Sequence, residues 1–128
     1  MSQVNVPIFV ESRYKVNRKR IKNTVASVLD QHNVSSRAEV SVAIVGDRKM
    51  RALSKKFKGE DKTRNILSFS LSEGEPTVIK SDVLRLGDIV LSYPVVILES
   101  ARDDMLVDDK IDELVAHGME HLLGLHHE

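Results

Sequence analysis

Three histidines near the C-terminal end of the 128-residue chain have the spacing of a metal site. His117 and His121 are four residues apart, so on a helix they project from successive turns of one face and can share an ion. Gly124 can end that helix in a left-handed turn, which would return His127, or alternatively His126, toward the pair. We therefore predict one zinc ion per chain, held by His117, His121 and His127.

The composition restricts the ligand atoms to nitrogen and oxygen, because the chain has no cysteine. Three neutral imidazoles leave a fourth coordination position open, and zinc can lower the pKa of a water molecule there from about 15.7 to about 7. A fourth protein ligand, Glu128 or Asp88, would close the position and make the metal structural. Zinc is the first candidate, although three imidazoles also suit nickel and copper.

Gly118 separates this pattern from that of the zinc peptidases. Their H-E-x-x-H helix has a glutamate after the first histidine, where it acts as general base. Glycine stands there in this chain, so peptidase chemistry is disfavoured. Glu120 points about 80° away from the mean direction of the histidine pair. Glu113, one turn before His117, is either a hydrogen-bond acceptor for that ring or an exposed carboxylate. Glycine within a helix costs about 0.5–1 kcal/mol relative to alanine, which suggests a bound group or a strand packed closely against it.

The rest of the chain predicts the elements that would position the histidines. Alternating or β-rich patterns predict strands over residues 4–10, 38–45, 65–71 and 83–91, with Pro7 marking an edge strand and a loop over 72–82. Apolar spacing predicts helices over about 17–32, 47–59, 93–105 and 108–123, with Asp47 and Asp108 as N-caps. Because regular βαβ alternation is missing, we predict one α+β domain over residues 1–128, with a small mixed sheet of about four strands packed with helices.

Charge is balanced overall, with 19 basic and 19 acidic residues, but it is unevenly distributed. Basic runs occur over Arg13–Lys22 and Arg48–Arg64, whereas Glu99–Glu128 is mostly acidic. The charge distribution predicts two basic faces and an acidic, histidine-bearing end, although ordinary solvated faces are the alternative for any one side chain. No apolar stretch approaches the roughly 20 residues of a membrane-spanning helix, and no export signal is recognisable. We therefore expect a cytoplasmic protein with no membrane partner.

The histidine segment also resembles a family signature. His117–His127 (HGMEHLLGLHH) is similar to the H-G-x-x-H-L-x-G-x-D-H motif of the bacterial YbeY family. Phe57–Gly59 and Asn65–Phe69 resemble its Arg-Gly and (D/N)-V-L-S-F segments, and Leu86–Ile89 with Ser92 resembles its L-G-D-I-x-x-S strand. In order and spacing, the resemblance covers nearly the whole chain.

This resemblance implies a zincin-like fold, with the three histidines as ligands, and a zinc-dependent, single-strand-specific endoribonuclease. Its expected roles are 16S rRNA 3′-end maturation and ribosome quality control. The expected partners are single-stranded ribosomal RNA and the small ribosomal subunit, and DNA is not expected to be a partner. Three positions depart from the family pattern. Lys58 stands in place of the usual arginine, Arg64 in place of a common threonine, and His126 in place of the aspartate before the last ligand.

Lys58 is the predicted catalytic residue, because a cation there would neutralise charge on the phosphate. Lysine supplies a point charge, whereas arginine would supply a bidentate fork. Ser68 and Asp88 are candidates for orienting the nucleophile, with structural roles as the alternative for both, and no general base is assigned. The predicted RNA-binding residues are Lys55, Lys56, Lys58 and Arg64.

Two alternative functions remain open at the level of sequence. One is a ribosome-associated or RNA-associated binding module with a structural metal, and the other is a zinc hydrolase lacking the HExxH glutamate. Only three phenylalanines and two tyrosines occur, so surfaces for base stacking are expected to be sparse. That scarcity keeps the binding module open as an alternative to the nuclease.

Overall fold

The structure is a computed structural model that describes residues 3–71 and 83–124. The predicted loop over 72–82 and the candidate ligands His126, His127 and Glu128 lie outside the described residues. None of the helices within the described ranges is long and apolar enough to cross a membrane. The elements in chain order are β1 (Val4–Asn5), β2 (Ile8–Val10), α1 (Arg18–Gln31), β3 (Arg37–Val45), α2 (Asp47–Lys58), β4 (Ile66–Ser70), β5 (Val83–Ser92), α3 (Tyr93–Arg102) and α4 (Val107–Leu122).

The strands form one mixed sheet in the order β1-β3-β5-β4, with β2 also paired to β3. β1, β2 and β5 run parallel to β3, whereas β4 runs antiparallel to β5 and forms an edge. The predicted strand over 4–10 is divided at Pro7, which lacks an N–H for the ladder. Among the described residues the sheet therefore has five strands, where about four were expected.

The sheet separates two apolar clusters, because residues along β3 alternate between its faces. Val40, Val42 and Ile44 are buried in the larger cluster, together with side chains from α1, α3 and α4. Each such side chain contributes roughly 1.5–3 kcal/mol when removed from water. The smaller cluster contains Val45, Met50, Leu67 and Val90. Since Met50 belongs to α2, that helix covers the face of the sheet opposite α4.

The four predicted helix starts agree with the structure to within one residue, and so do the stops except that of α3, which ends at Arg102 and not near residue 105. Gly124 follows α4 with φ 81°, so the predicted left-handed ending is confirmed, and Gly59 ends α2 in the same way with φ 69°. The prediction of Asp47 and Asp108 as N-caps is wrong, because Gly46 caps α2 and α4 begins at Val107. Both aspartates lie in the first helical turn instead, where the helix dipole favours negative charge.

Candidate metal site on the last helix

The histidines lie at the edge of the buried face of α4. His117 is exposed and His121 is half-buried, so the pair lies at the border between core and solvent. The helix forms here because apolar residues recur every three or four positions and cover the sheet. The buried residues of this stripe include Ile111, Leu114, Val115, Gly118, Met119 and Leu122.

Gly118 brings α4 into close contact with the sheet. A Cβ atom at this position would lie 3.0 Å from Cδ1 of Ile66 and 3.2 Å from Cδ1 of Ile89. A larger residue would push the helix away from β4 and β5. Of the two explanations for this glycine, the structure therefore supports strand packing.

The close approach places His121 against β4. Ser68 Oγ and His121 Nδ1 lie 2.7 Å apart, which is a hydrogen bond whose direction depends on the ring tautomer. When Nδ1–H donates to the hydroxyl, Nε2 is the ring nitrogen that would bind a metal ion. Sequence reasoning placed Ser68 near the cleft but missed this contact. The available signal was strand alternation, which puts Ser68 on the same face as Ile66.

The described residues account for only part of the predicted ligand set. Within residues 3–71 and 83–124, no group of three or more histidine, aspartate or glutamate side chains is placed to hold a metal ion. His117 and His121 supply two imidazoles one turn apart, and the ring of one is oriented by a hydroxyl. This donor set fits the nitrogen-ligand part of a zinc site. Glu113 Oε1 lies 3.1 Å from Lys110 Nζ, so this carboxylate is engaged in an ion pair.

Asp88 lies on the opposite face of the sheet from the histidines. Its neighbour Ile89 points toward Gly118 of α4, and successive side chains of a strand point to opposite faces. Asp88 accepts a hydrogen bond from Ser41 Oγ and lines a groove with Phe69. The predictions of Asp88 as a fourth ligand or as an orienting residue in the histidine cleft are therefore wrong.

The predicted RNA-binding lysines are exposed along α2. Lys55, Lys56 and Lys58 lie in its last turn, where positive charge also complements the helix dipole. Residues 59–65 connect Lys58 to β4, the strand that carries Ser68. The lysines therefore belong to the face of the sheet covered by α2, and the histidines belong to the face covered by α4.

Arg64 is held by neighbouring groups. Its Nε donates to Ser54 Oγ at 3.0 Å, and its guanidinium also pairs with Glu60. Lys62, together with Arg64, holds the pKa of the Glu60 carboxyl below its ordinary value of 4.5. Arg64 thus stabilises the turn after α2 as well as carrying charge.

Comparisons with known proteins agree with this architecture. A family model described as Endoribonuclease YbeY matches residues 8–128. The Endoribonuclease YbeY of Syntrophus aciditrophicus is 32% identical over 118 residues, covering 92% of this chain and 72% of the relative. The Endoribonuclease YbeY of Francisella philomiragia is 32% identical over 130 residues, covering 99% of this chain and 80% of the relative.

A solved structure shares the fold. The solution structure of TM1509 from Thermotoga maritima superposes with a TM-score of 0.61 and covers 97% of this chain and 75% of that chain. Its sequence identity of 21% makes this a likeness of fold alone. The prediction of an α+β fold with a mixed sheet is confirmed.

Proposed function

The chain belongs to the endoribonuclease YbeY family, and from that membership we propose that it is a zinc-dependent endoribonuclease specific for single-stranded RNA. The proposed roles are 16S rRNA 3′-end maturation and ribosome quality control in the cytoplasm. The proposed partners are single-stranded ribosomal RNA and the small ribosomal subunit. The structural observation that best supports this proposal is the hydrogen bond between Ser68 and His121, one helical turn from His117.

The metal would be held by His117, His121 and His127. Zinc, when bound, acts as a Lewis acid that polarises a phosphate oxygen or a water molecule. Ser68 would fix the ring of His121 by accepting a hydrogen bond from Nδ1–H, which keeps Nε2 as the ligand atom. The other described residues of this site serve packing: Gly118 keeps the helix close enough to β4 for that bond to form.

The RNA backbone would be held by the basic residues that follow from the family pattern. Lys58, which residues 59–65 join to the edge strand β4, would act as the catalytic cation from that edge of the sheet by neutralising charge on the phosphate. Lys55 and Lys56 would contact neighbouring phosphates. Arg64 would contribute mainly by supporting the turn between Lys58 and β4, because its guanidinium is already bound to Ser54 and Glu60.

Cleavage of a single-stranded fragment of the 16S rRNA 3′ end tests the proposal. We expect zinc-loaded protein to cut it, and we expect His117→Ala, His121→Ala and chelation each to abolish cleavage while circular dichroism is retained. His32→Ala is the matched control, because that histidine is exposed at the end of α1. The His32→Ala variant should bind one zinc per chain and cleave RNA at the rate of the unaltered chain.

Two outcomes would overturn the proposal. Cleavage that persists in both histidine variants would exclude the site on α4. Unfolding on chelation, together with no cleavage by the zinc-loaded protein, would show instead a binding module with a structural metal.

A further inference from the structure

All three phenylalanines of the chain line one groove on the sheet face away from the histidines. Phe9 of β2, Phe57 of α2 and Phe69 of β4 surround a volume of about 560 Å³ above the small side chain of Ala43. We call this the phenylalanine groove. Phe9 is 58% exposed and Phe57 is 52% exposed. Rings left open to water in one concave patch mark a binding surface more often than scattered apolar residues do.

The rings have the arrangement of a stacking site. Phe57 and Phe69 meet edge to face, with centroids 4.9 Å apart and planes at 61°. The packing against Phe69 supports Phe57, and much of Phe57 remains accessible to a ligand. Phe9 is exposed on the other wall, so the groove presents aromatic surface from both walls to a flat ligand.

The rim of the phenylalanine groove is basic. Lys49 lines it and also lines the adjoining concavity, which Arg48 and Lys56 border. Lys56 Nζ lies 5.2 Å from the centroid of the Phe57 ring. Cations beside aromatic rings fit a polymer whose flat groups are joined by an anionic backbone, which is the chemistry of single-stranded nucleic acid. An acidic or purely apolar peptide would match only one of these two features.

Two carboxylates lie on this aromatic and basic surface: Asp88 in the phenylalanine groove and Glu11 in the adjoining concavity. Asp88 lines the phenylalanine groove and accepts a hydrogen bond from Ser41 through Oδ1. A carboxylate repels phosphate, but it accepts hydrogen bonds from the exocyclic amino group of cytosine. Uracil presents a carbonyl oxygen at the same position, so it cannot donate there. Asp88 therefore provides a means of choosing between bases.

We propose that the phenylalanine groove binds unpaired bases of single-stranded RNA, apart from the histidine site, and prefers cytosine to uracil. The bases stack on Phe9 and Phe57, the phosphates pair with Lys49 and its basic neighbours, and Asp88 accepts from the amino group. This inference rests on the proposed function for the class of polymer, but it does not require that the chain cleave it.

Binding of labelled oligo(C) and oligo(U) to zinc-loaded protein, followed by fluorescence anisotropy, tests the proposal. The 2′-O-methyl forms are used, and a gel checks that they remain intact. Phe9→Ala and Phe57→Ala should each weaken oligo(C) binding by about 5- to 100-fold, the range for loss of one stacked base. Leu98→Ala is the matched control, because Leu98 is an apolar side chain that is 70% exposed on α3. It should bind as the unaltered chain does.

Asp88→Asn tests the preference between bases. The amide keeps an oxygen for Ser41 but adds an N–H donor, so the ratio of oligo(C) to oligo(U) affinity should fall several-fold. Asp104→Asn, an exposed aspartate after α3, should leave the ratio unchanged.

The results separate this inference from the proposed function. Unchanged affinity for both oligonucleotides in Phe9→Ala and Phe57→Ala would overturn the inference. A protein partner would then be the alternative ligand of the phenylalanine groove. An unchanged ratio in Asp88→Asn would overturn the base preference. Tight binding by a chain that cleaves no RNA would overturn the proposed nuclease function while leaving the inference supported.

Discussion

Ser68 Oγ of the edge strand β4 and His121 Nδ1 of α4 lie 2.7 Å apart. The contact joins two elements that are distant in the chain, and it depends on the close packing at Gly118. When the hydroxyl accepts from Nδ1–H, the ring is held with Nε2 as the nitrogen that would bind a metal. The orientation of one predicted ligand is thus set by the strand against which its helix packs.

Ser68→Ala should weaken zinc binding by about 10- to 100-fold, the usual effect of removing a group that orients a histidine ligand. The helix and strand remain in place, so the loss should appear in metal affinity with little change in stability. Competition with a chromogenic chelator measures it. Ser68→Thr keeps the hydroxyl and should restore most of the affinity, whereas the exposed Ser27→Ala is the neutral control. If Ser68→Ala binds zinc with the affinity of the unaltered chain, the Ser68 hydroxyl does not orient a metal ligand.

Gly118→Val should lower the free energy of unfolding by about 1–3 kcal/mol, because the added side chain overfills the contact with Ile66 and Ile89. Urea titration measures the change. Adding Ile66→Val removes the Cδ1 atom nearest to the new side chain, so the double variant should be less destabilised than the sum of the two single changes. Ala52→Val, at an exposed position of α2, should cost well under 1 kcal/mol. Simple additivity at Gly118 and Ile66 would contradict direct contact.

Local patterns predicted much of this site. Helical spacing placed the histidines beside the buried stripe, and the cost of a mid-helix glycine indicated close packing at Gly118. These features depend on residues within one or two turns of each other, so periodicity is sufficient to find them. The Ser68–His121 contact could not be found in this way, because the pairing of β4 at the edge of the sheet depends on β5, beyond residues 72–82.

The misplacement of Asp88 has a specific physical cause. Strict alternation along β5 would put Asp88 on the same face as Leu86, which belongs to the larger core cluster. The pairing with β3 shifts here by one residue, since Glu39 faces Arg85 and Val40 faces Gly87. This bulge reverses the faces beyond it. Gly87 permits it with φ 147°, because a Cβ atom would lie only 2.0 Å from the backbone oxygen of Phe69.

The free energy of unfolding should change with pH in the acid range because of the Asp103 carboxyl. The Arg102 guanidinium and the Lys110 ammonium, whose Nζ lies 2.8 Å from Asp103 Oδ2, hold the pKa of that carboxyl far below its ordinary value of 3.8. A lowered pKa in the folded state contributes stability that is fully present above the unfolded pKa. That contribution is lost as the pH falls below about 3.8 and through the folded pKa.

Asp103→Asn should therefore be less stable than the unaltered chain at pH 7, and the difference should shrink as the pH is lowered. Urea midpoints at about pH 7, 4 and 2.5 follow this change. Asp104→Asn removes the same charge from the neighbouring exposed residue and is the matched control. A difference that stays constant across this range would show that Asp103 stabilises the fold through something other than its charge.

Substitution of the lysines in the last turn of α2 should weaken RNA binding, whereas substitution of Arg20 in α1, which is paired with aspartates of α4, should not. Arg20 Nε lies 2.9 Å from Asp112 Oδ2, and its Nη2 lies 2.7 Å from Asp109 Oδ1, so its charge joins α1 to α4. Lys55 and Lys56 are exposed and available to phosphates. Each phosphate contact with a single strand contributes about 0.7 to the slope of log affinity against log salt concentration.

Lys55→Ala with Lys56→Ala should accordingly weaken RNA binding across sequences and reduce that slope by about 1.4, twice the value for one contact. Arg20→Gln should leave the slope unchanged and lower the urea midpoint instead, because it breaks an ion pair between helices. Anisotropy titrations at about 50 to 200 mM salt measure the slopes. A reduced slope in Arg20→Gln at full stability would place the RNA along α1. An unchanged slope in the double lysine variant would exclude the last turn of α2 as its path.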